Sequence, residues 1–375
     1  MLEGLIDSLG VTNFVLILVG GSMLVVVLLV MSYFKVLLSI ANFTYPNAKY
    51  RAIGTPFIDR NLVTSLLDGK NINEVYQVLT DRGYNLSKEA TVDQEELEKH
   101  LEERTIDILR NAHRNCPLSA KDFAGAWLMR YDATMAKRAL KSKMAGEDLR
   151  DKLVPVRRID SEVIENMNNA RDIQEVMDIL REAGFREPLR EQDPRKDMFA
   201  LETSLDRFVY DSIRRSVKNV HAEERPPVKY FMGKYLDIKN LKILSRGLRE
   251  GVERDVLKKA LLPPGRELEA WKLESMADAP GPEEAFVELE GTSYAGLRRD
   301  AASLDTFEIE RKLDGMMLKT ASEIMSQNVL TVGPILKFML GKEMELRNLN
   351  IITRGMRENI PKEHIEALLV MEGVS

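Results

Sequence analysis

The feature that most constrains the fold of this chain is an internal repeat. Residues 201–262 match residues 309–370 at a constant offset of 108, without a gap. A fainter copy lies upstream, where Asp132 precedes Asp237 by 105 residues. Chance does not produce many matches at nearly constant offsets. The pattern therefore indicates one supersecondary unit that is used three times.

Many of the repeated positions carry polar residues or glycine. They are Asp132 and Lys141 in the first copy, Gly233, Lys234, Asp237, Asn240, Arg246 and Gly247 in the second, and Gly341, Lys342, Glu345, Asn348, Arg354 and Gly355 in the third. Nine residues of helix span about 13 Å, so the acid and the base of one copy cannot pair with each other. We therefore expect them to cap or cross-link neighbouring helices. The alternative is a binding or proton-carrying role for the acids.

Each unit is predicted to be a short head followed by two long helices. In the first head, residues 71–79 place apolar side chains at helical spacing, and Gly83 follows as a helix stop. The same pattern returns 101 residues later, in the second head. No stretch alternates β-branched and polar residues as a strand does. The predicted fold class is all-α, with three pseudo-symmetric helical repeats.

The ends of the long helices are predicted from capping residues. An acid followed three residues later by glutamate indicates a capping box at a helix start, and a glycine in the left-handed conformation often ends a helix. The predicted starts are Asp93 with Glu96 and Asp305 with Glu308, and the predicted stops are Gly247 and Gly355.

The predicted divisions of the chain are 1–45 for the tail and transmembrane helix, and 46–150, 151–251 and 252–375 for the three helical repeats.

The N-terminal segment is predicted to be a membrane anchor. No charged residue falls between Asp7 and Lys35, and residues 14–34 are dominated by Val, Leu, Ile and Met. A spanning helix needs about 20 apolar residues. A signal peptide would begin with basic residues and have a shorter core, and a buried helix of a soluble protein is the other alternative. Lys35, Lys49 and Arg51 follow the apolar run, so the positive-inside rule predicts a single-pass cell-membrane protein with a cytoplasmic body.

Composition and motifs argue against several classes of function. Lys plus Arg number 54 and Asp plus Glu 59, for a net charge of -5, so the chain lacks the basic footprint of a nucleic-acid binder. The single cysteine, Cys116, excludes a disulfide within the chain. The four histidines lack metal-ligand spacing, and no glycine-rich phosphate loop occurs. The sequence predicts a non-enzyme that needs neither a cofactor nor a metal.

Four segments of the sequence resemble a known family. They are Asn47-Ala48-Lys49-Tyr50-Arg51-Ala52, Arg130-Tyr131-Asp132, Phe307-Glu308-Ile309-Glu310 and Gly341-Lys342-Glu343-Met344-Glu345-Leu346-Arg347-Asn348-Leu349. Over roughly residues 46–372 the chain is similar to the C/d subunits of A-type and V-type rotary ATPases. The likeness is strongest to the C subunits of archaeal A-type ATP synthases, and the terminal segment is the most specific.

The resemblance implies a funnel-shaped helical body with pseudo-three-fold symmetry. It implies that one side docks on the proteolipid (c/K) ring in the membrane and that the cavity receives the foot of the shaft formed by the D and F subunits. Such a protein transmits rotation and has neither a nucleotide site nor an ion path. One departure is that most family members have no spanning helix. We expect Val11–Leu38, surrounded by lipid or ring subunits, to enter the ring opening as an axle.

Two other functions are compatible with the sequence. A membrane-anchored helical scaffold could share this fold without an ATPase partner. A membrane-tethered hydrolase would need a catalytic site that the motifs do not reveal. Co-purification with rotary ATPase subunits separates the first from a rotor component, and turnover by the isolated chain would support the second.

Overall fold

The computed structural model describes residues 11–54, 58–69, 71–84, 94–190, 192–301 and 303–371. Within these ranges the chain forms helices and turns and no β-strand, which confirms the all-α prediction. The α-helices are α1 Val11–Gly54, α2 Arg60–Leu67, α3 Ile72–Leu79, α4 Gln94–Asn115, α5 Leu118–Ala145, α6 Leu149–Lys152, α7 Ser161–Asn169, α8 Ile173–Leu180, α9 Met198–Ser216, α10 Arg225–Arg249, α11 Arg254–Ala260, α12 Ala270–Asp278, α13 Pro282–Ala285, α14 Leu297–Asp300, α15 Thr306–Gln327, α16 Gly333–Arg357 and α17 Lys362–Leu368.

The first helix joins two environments. It is 44 residues long, which corresponds to roughly 66 Å at 1.5 Å per residue. Its large apolar side chains from Val15 to Leu38 are exposed, whereas Phe43 and Tyr50 are buried in the body. By length and composition it is the one helix in the described residues that could cross a membrane. The predicted division after residue 45 falls inside this continuous helix.

Six long helices form the frame of the body. Helix α9 packs on α5, α15 packs on α10, and α4 packs on α16. We call these contacts the first, second and third seams. Because the last long helix packs on the first, the frame returns to its starting point.

Each seam is also contacted by one head. The head precedes, along the chain, the first of the two long helices of its repeat, and that helix lies in the same seam. Helix α8 packs on α5, α12 packs on α10, and α3 packs on α16. In α3 the side chain of Asn71 accepts a hydrogen bond from the N–H of Glu74, and in α8 Asp172 caps the N–H of Glu175 in the same way. Gly83 follows with φ 83° and Gly184 with φ 101°. The predicted first head helix and its glycine stop are therefore confirmed.

The capping prediction for the third unit is also confirmed. The Asp305 carboxylate accepts from the N–H of Glu308, 2.8 Å away, and the Glu308 carboxylate accepts from the N–H of Asp305, 2.9 Å away. Helix α15 begins directly after this box, at Thr306. The equivalent prediction at Asp93 lies outside the described residues.

The predicted stops at Gly247 and Gly355 are wrong. Both glycines lie inside their helices, which run on to Arg249 and Arg357. The left-handed residues come four positions after the glycines, at Gly251 with φ 67° and Asn359 with φ 54°. A pattern of residue types can show that a glycine repeats, but only the packing shows why.

The reason for these glycines is the close approach of the next short helix. A Cβ placed at Gly247 would lie 2.5 Å from Leu257 Cδ1, and one at Gly355 would lie 2.6 Å from Ile365 Cδ1. Leu257 and Ile365 are buried and belong to α11 and α17. Each glycine therefore lets a short helix fold back against the long helix that precedes it.

Candidate functional site

The repeated basic residues lie on the outside of the three seams. Each reaches from the second long helix of one unit to an equivalent glutamate on the first long helix of the next. These rim pairs are Lys141–Glu202 at 2.6 Å, Arg246–Glu310 at 2.5 Å and Arg354–Glu98 at 2.7 Å. The third pair joins the last long helix to the first. All three basic side chains are more than half exposed, so each pair stabilises the fold by only about 0–1 kcal/mol.

A second set of ion pairs lies one helical turn from the rim pairs, at two of the seams. Lys137 pairs with Asp206 at 2.7 Å across the first seam, and Lys242 pairs with Asp314 at 2.6 Å across the second. At the third seam Asn350 takes the lysine position. Glu102 takes the position of the aspartates Asp206 and Asp314. It pairs with Arg138 of the neighbouring helix α5. The third seam therefore differs from the other two.

The repeated aspartates hold loops. Oδ1 of Asp132 accepts hydrogen bonds from the N–H groups of Arg157, Arg158 and Ile159 at 2.8–3.1 Å. Burial raises the pKa of the Asp132 carboxyl, while the three N–H donors favour its charged form. This side chain positions the start of the following head.

Asp237 does the same in the second unit. It accepts from the N–H groups of Arg266, Glu267 and Leu268 at 2.9–3.2 Å. Burial is again the main reason that the pKa of Asp237 is raised. A Cβ placed at Gly233 would lie 2.8 Å from Arg266 Cβ, so this glycine leaves room for the loop that Asp237 holds.

Glu345, at the equivalent place in the third unit, has different partners. It accepts a hydrogen bond from the Tyr84 hydroxyl of the first head and pairs with Lys342 at 2.6 Å. Lys234, the equivalent of Lys342, donates instead to Glu267 and to Ser293 Oγ. The neighbouring Gly341 is buried. These lysines neutralise buried or half-buried carboxylates.

The two repeated asparagines make the same backbone contact. Asn240 accepts from the N–H of Leu262 at 2.8 Å, and Asn348 accepts from the N–H of Val370 at 3.1 Å. Each side-chain amide also donates to the carbonyl of the same residue, at 3.3 Å and 2.7 Å. An asparagine in this role bonds an extended segment of backbone through both of its polar atoms. Both are fully buried.

A buried polar cluster, the central cluster, joins the long helices α5, α10 and α16. Arg130, Tyr235 and Glu343 occupy equivalent positions, by the offsets of 105 and 108. The Arg130 guanidinium donates to the Tyr235 hydroxyl and pairs with the Glu343 carboxylate. It also lies 3.7 Å from the ring centroid of Trp127, whose Nε1 donates to Glu343 at 2.6 Å. Burial lowers the pKa of the Arg130 guanidinium, but Glu343, Tyr235 and Tyr210 together outweigh burial, so the net pKa is raised.

The central cluster was not predicted from the sequence, because its three equivalent residues are chemically different. Arg130 stood out only as part of a family motif. The repeat offsets align Arg130 with Tyr235 and Glu343, and that alignment was the available signal.

The lower end of α1 contacts the body at or next to the turns that join its pairs of long helices. We call residues 43–53 the root of α1, and Ser39 lies just above it. The contacts are Ser39 with Glu224, Asn47 Nδ2 with the Thr331 carbonyl at 2.9 Å, Arg51 with the Val329 carbonyl at 3.1 Å, and the Tyr50 hydroxyl with the Ala112 carbonyl at 2.8 Å. The Tyr50 ring also stacks on Phe338, with centroids 5.0 Å apart. The apolar helix therefore leaves the body from the end where the hairpins turn.

The reactive side-chain types are engaged in structure. Cys116 is buried, and burial raises the pKa of its thiol to about 12, so it is a neutral thiol at physiological pH. The described residues contain no group of three or more His, Cys, Asp or Glu side chains arranged to hold a metal ion. The arrangement described above fixes the relative positions of helices.

Comparison with known proteins places the chain among ATP synthase subunits. The family model described as ATP synthase (C/AC39) subunit matches residues 46–368. The chain is 26% identical to the C subunit of the A-type ATP synthase of Methanocaldococcus jannaschii, over 90% of this chain and 88% of the relative. It is also 26% identical to the protein of the same name from Methanothermobacter thermautotrophicus, over 96% of each chain.

The matches extend into the N-terminal helix. The A-type ATP synthase C subunit of Methanobrevibacter smithii is 26% identical over 98% of both chains. So little of either chain remains unmatched that α1 must lie inside the aligned region. This relative therefore contains a segment that aligns with α1. By its sequence over residues 46–368, the chain belongs to the ATP synthase (C/AC39) subunit family.

Proposed function

We propose that this chain is the central-stalk rotor component of an A-type ATP synthase, coupling the proteolipid ring to the shaft of the D and F subunits. Family membership supports an accessory subunit of a rotary ATP synthase rather than the catalytic one. The observation that carries the finer proposal is the root of α1. Together with Ser39 just above it, the root contacts all three helix pairs at or next to their turns, as a shaft centred on them would.

The interior of the body suits transmission of force. The repeated polar residues bond to backbone and to neighbouring helices, and the central cluster ties together three long helices, α5, α10 and α16. A connector that transmits torque needs helices that do not slide past one another. Buried hydrogen bonds and ion pairs resist sliding because displacement of a helix breaks them.

The body is proposed to be three units, in the divisions 46–150, 151–251 and 252–375. The equivalent seams, rim pairs and loop-holding aspartates support this division. The three units would surround a funnel whose wide part receives the D and F shaft. The hairpin-turn end, from which α1 leaves, would face the membrane.

We further propose that α1 crosses the membrane once, with the body in the cytoplasm. Its exposed apolar length and the basic residues Lys35, Lys49 and Arg51 at its cytoplasmic end support this topology. A rotor helix must turn with the ring, so a position outside the ring would collide with the stator. The compatible position is inside the ring opening.

Co-purification tests the rotor proposal. Solubilised membranes carrying a tagged chain are expected to yield one copy of it with proteolipid, D and F subunits, counted by native mass spectrometry. Recovery of the intact chain without any ATPase subunit would contradict the proposal and favour a membrane-anchored scaffold.

Photo-crosslinking tests the axial position of α1. A photoreactive residue at Val26 or Leu29 is expected to crosslink to the inner surface of the proteolipid ring. The same residue at exposed Phe199, in the body, is the control and should give no ring product of that kind. Products with the outer, stator-facing surface of the ring would contradict the axial position.

A further inference from the structure

The third seam differs from the other two in how its helices are connected. Along the chain, the next long helix after α5 is α9, and the next long helix after α10 is α15. The chain segment between the two helices therefore connects each of the first two seams. No linker runs from α16 to α4, because α4 comes first in the sequence. At the third seam Asn350 stands in place of the lysine that forms the second ion pair at each of the other two seams.

Within the described residues the equivalent acid at the third seam has different partners. Asp132 and Asp237 each hold three backbone N–H groups of the linker that follows. Within the described residues, Glu345 is bonded to Tyr84 and Lys342. In the part of the chain that the structure describes, Arg354 and Glu98 form an ion pair across this seam, and the arginine side chain is more than half exposed.

The root of α1 lies on this seam. It packs on α16 and also on α4, the two helices that form the seam. Tyr50 illustrates the arrangement, because its hydroxyl donates to the Ala112 carbonyl of α4 while its ring stacks on Phe338 of α16. Asn47 adds a bond to the turn before α16. Phe43, Asn47 and Tyr50 are all buried.

We propose that the root of α1 is an intramolecular clasp that closes the third seam, in place of the missing linker and ion pair. The helix that would hold this seam closed is therefore the same helix that continues into the apolar segment. Since α1 is one continuous helix, a displacement of its apolar part acts directly on the seam. The first and second seams have no such connection to α1 through the root. This inference concerns the body alone and does not rest on the rotor assignment.

Hydrogen–deuterium exchange of the full-length chain in detergent micelles tests the clasp. The variant is Asn47→Ala/Tyr50→Phe, which removes two buried hydrogen bonds. The matched control is Asn42→Ala/Tyr45→Phe, which makes the same substitutions at exposed positions of the same helix. Two lost bonds of about 1 kcal/mol each predict roughly ten-fold or faster exchange wherever the seam opens.

The expected result is faster exchange in α4 and in the first half of α16, with α9, α10 and the middle of α5 unchanged. The control should match the parent protein. Unchanged exchange at the third seam, or equal acceleration at all three seams, would overturn the proposal. Should the double variant fail to fold, Tyr50→Phe alone provides the same comparison against Tyr45→Phe. Neither outcome bears on co-purification with ATPase subunits.

Discussion

The rim pairs and the central cluster show how equivalent positions of a repeated sequence segment can differ. At the rim, equivalent positions carry the same charge, as in Lys141, Arg246 and Arg354. At the centre, equivalent positions carry Arg130, Tyr235 and Glu343. The rim residues are far apart and each meets an acid of the next unit. The central residues meet each other.

This difference has an electrostatic reason. Three arginines or three glutamates at one buried point would repel, and their desolvation would be uncompensated. A cation, a neutral hydroxyl and an anion satisfy one another instead. Pseudo-symmetry can therefore be kept where copies face different partners and must be broken where copies face each other.

The largest effect is expected at the centre. Glu343→Leu leaves the Arg130 charge buried without its partner, and we expect a loss of about 3–5 kcal/mol in the free energy of unfolding. Chemical denaturation of the full-length chain in micelles measures it. The double variant Arg130→Met/Glu343→Leu should recover most of the loss, because no charge remains buried. If Glu343→Leu costs no more than Glu310→Leu at the rim, the distinction between rim and centre is wrong.

A smaller effect is expected at the loop-holding aspartates. Asp237→Ala removes the acceptor of three backbone N–H groups, and we expect a loss of about 3 kcal/mol. Asp237→Asn keeps one carbonyl oxygen and should lose less. Thermal unfolding of both variants provides the measurement. Equal stability of the alanine and asparagine variants would show that the hydrogen bonds do not position this loop.

The next effect concerns the glycines inside the long helices. Gly355→Ala should destabilise the fold by about 1–3 kcal/mol, because the new Cβ meets Ile365. Gly315→Ala, in helix α15 with open space around it, is the control and should stabilise the fold by up to about 1 kcal/mol. Adding Ile365→Ala to Gly355→Ala should relieve the overlap. Calorimetric melting compares the stabilities of the three variants. If the double variant is no more stable than Gly355→Ala, the cost of the alanine comes from the backbone and not from the contact with Ile365.

The smallest effect is expected at the rim. Arg354→Ala should lower stability by at most about 1 kcal/mol, and added salt should shrink the difference. Burial raises the pKa of Glu98, whereas the hydrogen bond and the charge of Arg354 lower it. The net effect is a lowered pKa. The pair therefore contributes above the ordinary glutamate pKa of about 4.3 and is lost as the pH falls through the lowered value. A loss above 2 kcal/mol in denaturation at neutral pH would contradict this.

Local signals in the sequence predicted the heads and one capping box correctly. Asn71, Gly83 and Asp305 act on backbone within four or five residues, so their roles can be read from spacing. Gly247 and Gly355 were misread because their partners, Leu257 and Ile365, lie on another helix. The central cluster escaped prediction because a repeat is recognised by likeness, and its members are unlike.

The sequence alone determined that the chain is helical, that one unit recurs, and that an apolar helix precedes the body. These follow from periodicity, capping residues and hydropathy, which act over a few turns of chain. The tertiary structure decided which copies touch, that the last long helix packs on the first, and that α1 lies on that contact. Those facts depend on distances between residues such as Glu98 and Arg354, which are remote in sequence and adjacent only after folding.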